Sequence, residues 1–346
     1  LGGIGTALAL WIGGGMVMTS AISFGTLASF ITYTIQFFEP IGNIARIFAE
    51  LQSAQASAER VLSMINTPLE IEDRPDVLQT YGDAFHPIRE NWEPIKGDVT
   101  FRNVSFSYQG GETVLEDFNL QVKAGETIAL VGETGSGKST IVNLICRFYE
   151  PTKGQILIDG VDYRERSQLW LQSNLGYVLQ SPHLFSGTVK ENIRYGRLEA
   201  TDEEVREAAR LVNADGFISK LENGYETEVG EGGNRLSTGQ KQLISFARAV
   251  VANPRLFVLD EATSSIDTET EQIIQKAIQN VLEGRTSFII AHRLSTIRTA
   301  DRILVIVDGK VTEEGNHRQL LAQKGYYYRL YTNQFMEEEE ARIINE

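Results

Sequence analysis

The sequence LVGETGSGKST at residues 130–140 decides how the rest of the chain is interpreted. An apolar run that favours a strand stops at Gly132, and a helical run begins beyond Lys138 and Ser139. Gly132 to Ser139 fits the pattern G-x-x-x-x-G-K-[ST], in which backbone N–H groups and a helix start face an anion. We therefore predict a phosphate-binding loop, with Lys138 near the β- and γ-phosphates of a nucleotide and the Ser139 hydroxyl on Mg²⁺. A chance glycine turn would not explain both the strand before it and the helix after it.

Composition narrows the class of protein. The chain has 346 residues, which leaves room for two domains, and a formal net charge of −14. This acidic balance speaks against a nucleic-acid partner, because no basic excess is present to displace phosphate counterions. The single cysteine, Cys146, excludes an internal disulfide framework and is predicted to be a buried, unreactive thiol on an apolar helix. Because the sequence starts with Leu1 inside an apolar run and lacks a signal peptide, we expect an N-terminally truncated piece of a longer protein.

The N-terminal part differs sharply from the rest, since residues 1–38 contain no charged residue. This stretch exceeds the roughly 20 residues of one helical membrane crossing. It predicts the tail of one membrane helix up to Met18, a small polar break, and a second helix from Thr26 to about Ile47 that continues towards Thr67. The glycines of the first helix would allow neighbouring helices to approach closely. The first basic residue, Arg46, places the inner end in the cytoplasm, so the lipid bilayer of the cell membrane is an expected partner.

The expected domain organisation follows from these changes in composition. Residues 1–64 are predicted to be the last two helices of a transmembrane domain, with the final helix extending into the cytoplasm. Residues 65–97 are predicted to be an acidic, proline-containing linker. Residues 98–335 form the predicted nucleotide domain, with a helical subdomain at about 181–250, and residues 336–346 form an acidic tail. The alternative for residues 1–64, a buried hairpin of a soluble protein, is disfavoured by the missing charges.

A second chemical signal lies at residues 256–261, where four apolar residues precede Asp260 and Glu261. Ligands of open α/β sheets gather at the carboxyl ends of strands, where these two carboxylates would stand. Asp260 could hold Mg²⁺, and Glu261 could orient and deprotonate an attacking water. Tyr108, at the end of an alternating strand, could stack on adenine, although such a residue is more often an ordinary strand residue.

The order of further motifs resembles that of an ATP-binding-cassette (ABC) exporter subunit of the bacterial multidrug or lipid type. These motifs are the loop at 132–139, Gln180, the signature segment LSTGQ at 236–240, the strand ending in Asp260-Glu261, the segment SSID at 264–267 and His292. The resemblance covers essentially the whole chain. It implies an α/β P-loop NTPase cassette, with a RecA-like core, an antiparallel β subdomain and a helical subdomain, preceded by transmembrane α-helices.

The resemblance also implies roles for individual residues. The catalytic set would comprise Glu261 as general base, His292 at the γ-phosphate, Gln180 sensing Mg²⁺ and water, and Lys138. The Mg²⁺ ligands would be Ser139, Gln180 and Asp260. ATP would be bound by Tyr108, Gly132, Glu133, Thr134, Gly135, Ser136, Gly137, Lys138, Ser139, Thr140 and Gln180 of one subunit, and by Ser237, Thr238, Gly239, Gln240 and Asp267 across a dimer interface.

One position departs from the family pattern, because Thr238 replaces the first glycine of the usual Ser-Gly-Gly-Gln. A β-branched side chain there would resist unusual backbone angles. The partner is a second half-transporter, either in a homodimer or in a heterodimer with unequal ATP sites, and the intact remaining motifs favour the heterodimer. The expected cargo is a hydrophobic drug or lipid. The alternatives are a peptide exporter, a soluble cassette ATPase, and a channel or receptor that uses ATP as a gating ligand.

Overall fold

The structure is a computed structural model that describes residues 2–260, 268–291 and 294–333. The chain divides into two compact units, Leu1–Glu70 and Ile71–Glu346. The first contains helices only, and the second contains both sheets and all the motifs on which the nucleotide site was predicted.

The first unit is a pair of helices, α1 (Gly2–Met18) and α2 (Phe24–Ile65). They are separated at the predicted polar break, and α2 begins where the Thr26 amide donates to the Ser23 hydroxyl at 3.1 Å. The glycines of α1 allow close contact with α2. A Cβ atom at Gly13 would lie 2.3 Å from Leu27 Cδ1, and one at Gly5 would lie 3.0 Å from the Phe38 ring. The predicted close approach of the helices is therefore present at these two glycines.

The helices of the first unit differ from the predicted membrane-crossing helices. In the described parts of the chain, we find no helix whose length and apolarity together suffice to cross a bilayer. Helix α2 has 42 residues, but polar side chains and the charged Glu39 and Arg46 interrupt its apolar ones.

The described residues of the second unit form ten strands, and its helices include ten α-helices with the bounds given below. The strands are β1 (Val99–Ser107), β2 (Thr113–Val122), β3 (Thr127–Val131), β4 (Lys153–Ile158), β5 (Val161–Asp162), β6 (Leu175–Val178), β7 (Leu256–Asp260), β8 (Thr286–Ile290), β9 (Arg302–Val307) and β10 (Lys310–Gly315). The helices are α3 (Pro75–Tyr81), α4 (Lys138–Ile145), α5 (Gln168–Ser173), α6 (Val189–Arg194), α7 (Asp202–Leu211), α8 (Asp215–Ile218), α9 (Thr238–Val250), α10 (Thr268–Leu282), α11 (Leu294–Ile297) and α12 (His317–Gln323). Residues 326–333 are also helical.

The strands form two sheets. The first is antiparallel, in the order β2-β1-β4-β5, and the second has the order β10-β9-β3-β8-β7-β6. In the second sheet, β6, β7, β8, β3 and β9 run parallel, and only β10 is antiparallel to its neighbour. Helices α6 to α9 fall within the predicted helical subdomain. The predicted α/β P-loop cassette with a β subdomain and a helical subdomain is confirmed.

Strand β3 is buried on both faces. Its alternating side chains divide between two hydrophobic cores, as the two-residue period of a strand requires. Ile128 and Leu130 face the core shared with α4 and the antiparallel sheet, whereas Ala129 and Val131 face the core of the helical subdomain. The carboxyl end of β3 is therefore fixed from both sides. Cys146 is buried in the first core, and this burial raises the pKa of its thiol, as expected for an unreactive cysteine.

Residues 71–97, predicted as part of a linker, pack within the second unit. The Arg147 guanidinium, only 1% exposed, forms ion pairs with Asp73 at 2.9 Å and with Glu150 at 2.8 Å. Val77 and Ile95 are also buried. A buried cation needs such partners, because leaving it unpaired would cost several kcal/mol. This segment is consequently attached just behind the helix that follows the phosphate loop.

Candidate functional site

The phosphate loop (residues 132–139) joins the carboxyl end of β3 to the start of α4, as predicted. Gly137 is the N-cap of α4 with φ of +105°, and no side chain caps this helix. The backbone N–H groups at its start are thus open to an anion, which the helix dipole favours. No side chain fits at Gly132, because a Cβ atom there would lie 2.2 Å from the Ile306 carbonyl oxygen. The loop is supported from behind by the Gly309 amide, which donates to the Ser136 carbonyl at 2.9 Å.

Lys138 lies beneath this loop and is only 6% exposed. Its ammonium group donates to the carbonyl oxygens of Gly132 at 2.8 Å and Glu133 at 2.7 Å. Burial lowers the pKa of Lys138, and the negative charge of Asp260 opposes this shift. The two predicted site residues are therefore close enough to interact electrostatically. A phosphate arriving at the loop would meet a cation already held in place.

The predicted metal ligands lie at the ends of three elements. Ser139 is exposed at the second position of α4, Asp260 ends β7, and Gln180 is exposed two residues beyond β6. Because β6 and β7 are parallel neighbours, Gln180 and Asp260 leave the sheet at the same edge. Their hydroxyl, carboxylate and amide oxygens are donors of the type that Mg²⁺ prefers. The described residues include no group of three His, Cys, Asp or Glu side chains that could hold a metal alone. The residues present therefore fit a Mg²⁺ ion that takes its remaining ligands from phosphate and water.

Tyr108 lies directly after β1, and the structure attaches it to the phosphate-loop helix. Its hydroxyl is hydrogen-bonded to Thr140 Oγ1 at 3.1 Å. Its half-buried ring packs edge-on against Phe106 and Tyr149, with centroid distances of 4.9 and 5.1 Å. The predicted adenine-stacking residue is thus held in one orientation by three neighbours, of which sequence reasoning identified only Thr140, and for a different role.

The signature segment (residues 236–240) forms the start of α9, on the helical subdomain. The Ser237 hydroxyl accepts from the Gln240 amide at 3.3 Å, and the Gln240 side chain accepts from the Ser237 amide at 3.0 Å. This reciprocal capping box satisfies two of the backbone N–H groups at the start of the helix, those of Ser237 and Gln240. Thr238 is exposed and Gly239 is buried. Thr238 is the first residue of α9 and does not adopt a positive φ, so its β-branched side chain meets no unusual backbone angle there. Its predicted effect on the ATP site stays a prediction.

Three predicted site residues, Glu261, Asp267 and His292, lie outside the described residues. In the sequence, Glu261 directly follows the last residue of β7, and His292 lies two residues beyond β8. These strands are parallel neighbours in the second sheet. Their predicted roles stay predictions.

One contact of the phosphate loop was missed by sequence reasoning. The Tyr326 hydroxyl donates to Glu133 Oε1 at 2.8 Å, across 193 positions of sequence. No local motif surrounds Tyr326 that could have signalled this contact.

Comparison with known proteins agrees with this site. Residues 115–264 match the family model for the ABC transporter. The chain is 46% identical over 330 residues to the fatty acid ABC transporter ATP-binding/permease protein of Mycobacterium bovis, covering 95% of this chain and 50% of that protein. It is 44% identical over 338 residues to the ATP-dependent lipid A-core flippase of Syntrophus aciditrophicus, covering 98% of this chain and 54% of that protein. The chain thus spans about half the length of the curated relatives it matches.

A solved structure is also similar. It is a bacterial Atm1-family ABC exporter with ATP bound, with a TM-score of 0.71 and 35% identity, covering 96% of this chain and 55% of that one. The family match includes the phosphate loop, the signature segment and β7. The chain therefore contains the ATP-binding domain of an ABC transporter, of the type found in exporters, a family that hydrolyses ATP.

Proposed function

We propose that the chain is the ATP-hydrolysing part of an ABC exporter half, which couples ATP-driven dimerisation to export of a hydrophobic substrate. One observation carries the proposal most strongly. Lys138 is buried against the carbonyl oxygens of the phosphate loop, and the charge of Asp260 acts on it. This arrangement places a cation and a carboxylate at the uncapped start of α4. The cation can bind phosphate oxygens and the carboxylate can bind Mg²⁺, so together they suit a Mg²⁺-bound triphosphate.

Each residue of the site contributes to positioning or charge stabilisation. Lys138 and the amides of the phosphate loop bind the β- and γ-phosphates, and Tyr108 stacks on adenine. Ser139, Gln180 and Asp260 would hold Mg²⁺, which would supply positive charge to the phosphates when bound. Glu261 orients and deprotonates the attacking water, and His292 contacts the γ-phosphate. Phosphoryl transfer depends mainly on such positioning and electrostatics.

A second half-transporter completes the site. One phosphate loop covers only one side of the triphosphate, so positive charge on the other side comes from the start of α9 in the partner. Ser237, Thr238, Gly239 and Gln240 face that nucleotide, and Asp267 lies at the interface. Thr238 favours a heterodimer, in which the two ATP sites are unequal. Purified alone, this subunit is then expected to show little drug-stimulated ATP turnover, and full stimulated activity would indicate a homodimer.

Helices α1 and α2 belong to the membrane domain of this exporter, with the second unit in the cytoplasm. Their exposed apolar side chains support this assignment, because Trp11 is 85% exposed, Phe37 is 71% exposed and Met18 is 88% exposed. Such surfaces are stabilised by lipid or by neighbouring apolar helices. A fluorescence quencher attached to lipid chains tests this membrane assignment. In vesicles that contain the quencher, the emission of Trp11 should be quenched.

The transported substrate is a lipid or a hydrophobic drug. The names of the two relatives, a fatty acid transporter and a lipid A-core flippase, support a lipid. The full-length protein in vesicles should move a fluorescent lipid or drug in an ATP-dependent manner. Movement of a hydrophilic peptide instead would indicate a peptide exporter, and ATP turnover without movement of any of these probes would indicate a regulatory ATPase.

The experiment that tests the ATPase assignment is Glu261→Gln. This variant should bind Mg²⁺-ATP as the natural protein does, lose turnover by at least about a hundredfold, and accumulate as a closed dimer with its partner subunit. Glu222→Gln, which changes an exposed loop carboxylate, is the matched control and should turn over ATP normally. Turnover that survives in Glu261→Gln would contradict the assigned base.

A further inference from the structure

The phosphate loop is held from outside by the C-terminal part of the second unit. The Tyr326 hydroxyl donates to Glu133 Oε1 at 2.8 Å. This hydrogen bond raises the pKa of Tyr326, since the negative carboxylate favours the protonated phenol. The guanidinium group of Arg329 lies 5.6 Å from the centre of the same ring. Tyr326 is therefore fixed on one side by the loop and on another by its own helix.

Glu133 occupies a central position within the loop. Its carbonyl oxygen accepts from Lys138 Nζ at 2.7 Å and from the Ser136 amide at 3.2 Å. Its side chain accepts from Tyr326. A displacement of Glu133 would thus move both the lysine contact and the turn.

Tyr326 itself is firmly attached to the second unit. The amides of Tyr326 and Tyr327 both donate to the Glu313 carboxylate of β10, which satisfies the start of helix 326–333. Tyr327 is buried, and its hydroxyl is hydrogen-bonded to His317 Nδ1 at 2.7 Å. The helix start is consequently anchored to β10 and α12, so Tyr326 can restrain Glu133 instead of following it.

We propose that Tyr326 is a positioning residue for ATP binding, which acts through Glu133 to keep the phosphate loop in its phosphate-accepting form. The inference rests on the proposed function, because it assumes that ATP binds at this loop. The observed polar contact of Tyr326 with the loop is its hydrogen bond to the exposed carboxylate of Glu133. Its hydroxyl therefore sets the affinity for nucleotide and leaves the chemical step unchanged.

The test compares Tyr326→Phe with Tyr328→Phe in the full chain, using steady-state ATP turnover and fluorescent ATP binding. Tyr326→Phe should raise the KM and Kd for ATP about three- to tenfold, as loss of one ordinary, solvent-exposed hydrogen bond does, with kcat changed less than twofold. Tyr328→Phe removes a hydroxyl from an exposed ring of the same helix and should leave all three constants unchanged.

A double-mutant cycle identifies the partner. Glu133→Gln removes the charged acceptor, and the double variant should bind ATP no more weakly than the weaker single variant. The urea midpoint of each variant shows whether it is folded. The inference is overturned if Tyr326→Phe behaves as Tyr328→Phe does, if kcat falls at unchanged KM, or if the two losses simply multiply. A natural chain that binds no ATP would overturn the proposed function, and the inference with it.

Discussion

The starts of helices α4 and α9 are built in opposite ways. The N-cap of α4 is Gly137, whose missing side chain leaves the first amides uncapped. The N-cap of α9 is Ser237, which caps the helix together with Gln240. Every helix start carries partial positive charge and N–H groups without an internal partner. The first helix therefore offers these groups to an outside anion, whereas the second already satisfies part of them.

The surroundings of the two helix starts reinforce this difference. At α4, Lys138 adds a buried cation, and contacts from Gly309 and Tyr326 hold the loop. At α9, the first residue is the exposed Thr238. The bodies of both helices are buried in hydrophobic cores. The comparison supports the proposal that α4 binds phosphate within one chain and that α9 adds its charge when another chain brings a nucleotide to it.

The largest effect should come from removing the cation at α4. Lys138→Ala should lower ATP turnover by at least about a hundredfold, the usual cost of losing a group that stabilises transition-state charge. Turnover with the partner subunit present is the measurement. Lys220→Ala removes an exposed lysine of the helical subdomain and serves as control. If Lys138→Ala kept its ATP turnover within tenfold of the natural protein, the proposed difference in phosphate binding between the starts of α4 and α9 would be contradicted.

Substitution of glycines in the phosphate loop alters the backbone before α4 and leaves the charge of the loop unchanged. Gly132→Ala should lower the free energy of unfolding by about 3 kcal/mol, because the new Cβ atom would lie 2.2 Å from the Ile306 carbonyl oxygen. At Gly135, φ is +85° but the space is open, so Gly135→Ala should cost only about 1 kcal/mol. Urea unfolding measures both. Equal costs would mean that backbone angle alone, and not the neighbouring strand, fixes the loop.

The second helix start should respond to loss of its cap. Ser237→Ala should lower the free energy of unfolding by about 1 kcal/mol and reduce turnover of the assembled dimer. Thr201, the cap of α7, has the same capping box with Glu204. Thr201→Ala should therefore cost about the same stability and leave turnover unchanged. Equal losses of turnover in both variants would show that Ser237 acts only as a cap.

The smallest effect concerns the anchor behind Tyr326. Burial, followed by the charges of Arg298 and Arg318, lowers the pKa of His317 below its usual value. The unfolded chain therefore binds a proton more readily below about pH 6.5, and stability should fall as pH falls through this range. The urea midpoint at pH 5.5 and at pH 7.5 measures the slope. His317→Gln should flatten it, and an unchanged slope would assign the pH dependence to other groups.

Local patterns were enough to predict the features that depend on adjacent residues. The glycines and Lys138 defined the phosphate loop, and the apolar run before Asp260 defined β7. Each of these depends on backbone rules that act over a few residues. The family resemblance then arranged them in one cassette.

Features that depend on distant residues could not be predicted in this way. The contact between Tyr326 and Glu133 joins two segments with unrelated local patterns. The buried Arg147 pairs with Asp73 of a segment whose prolines suggested an irregular linker.

The most direct test is the ATP affinity of the single chain, measured by fluorescent nucleotide binding at concentrations too low for dimers to form. We predict that Lys138→Ala weakens binding at least about tenfold, whereas Ser237→Ala binds as tightly as the natural protein. Normal affinity in Lys138→Ala, or an equal loss in Ser237→Ala, would contradict the account that only the first helix start holds the nucleotide within one chain.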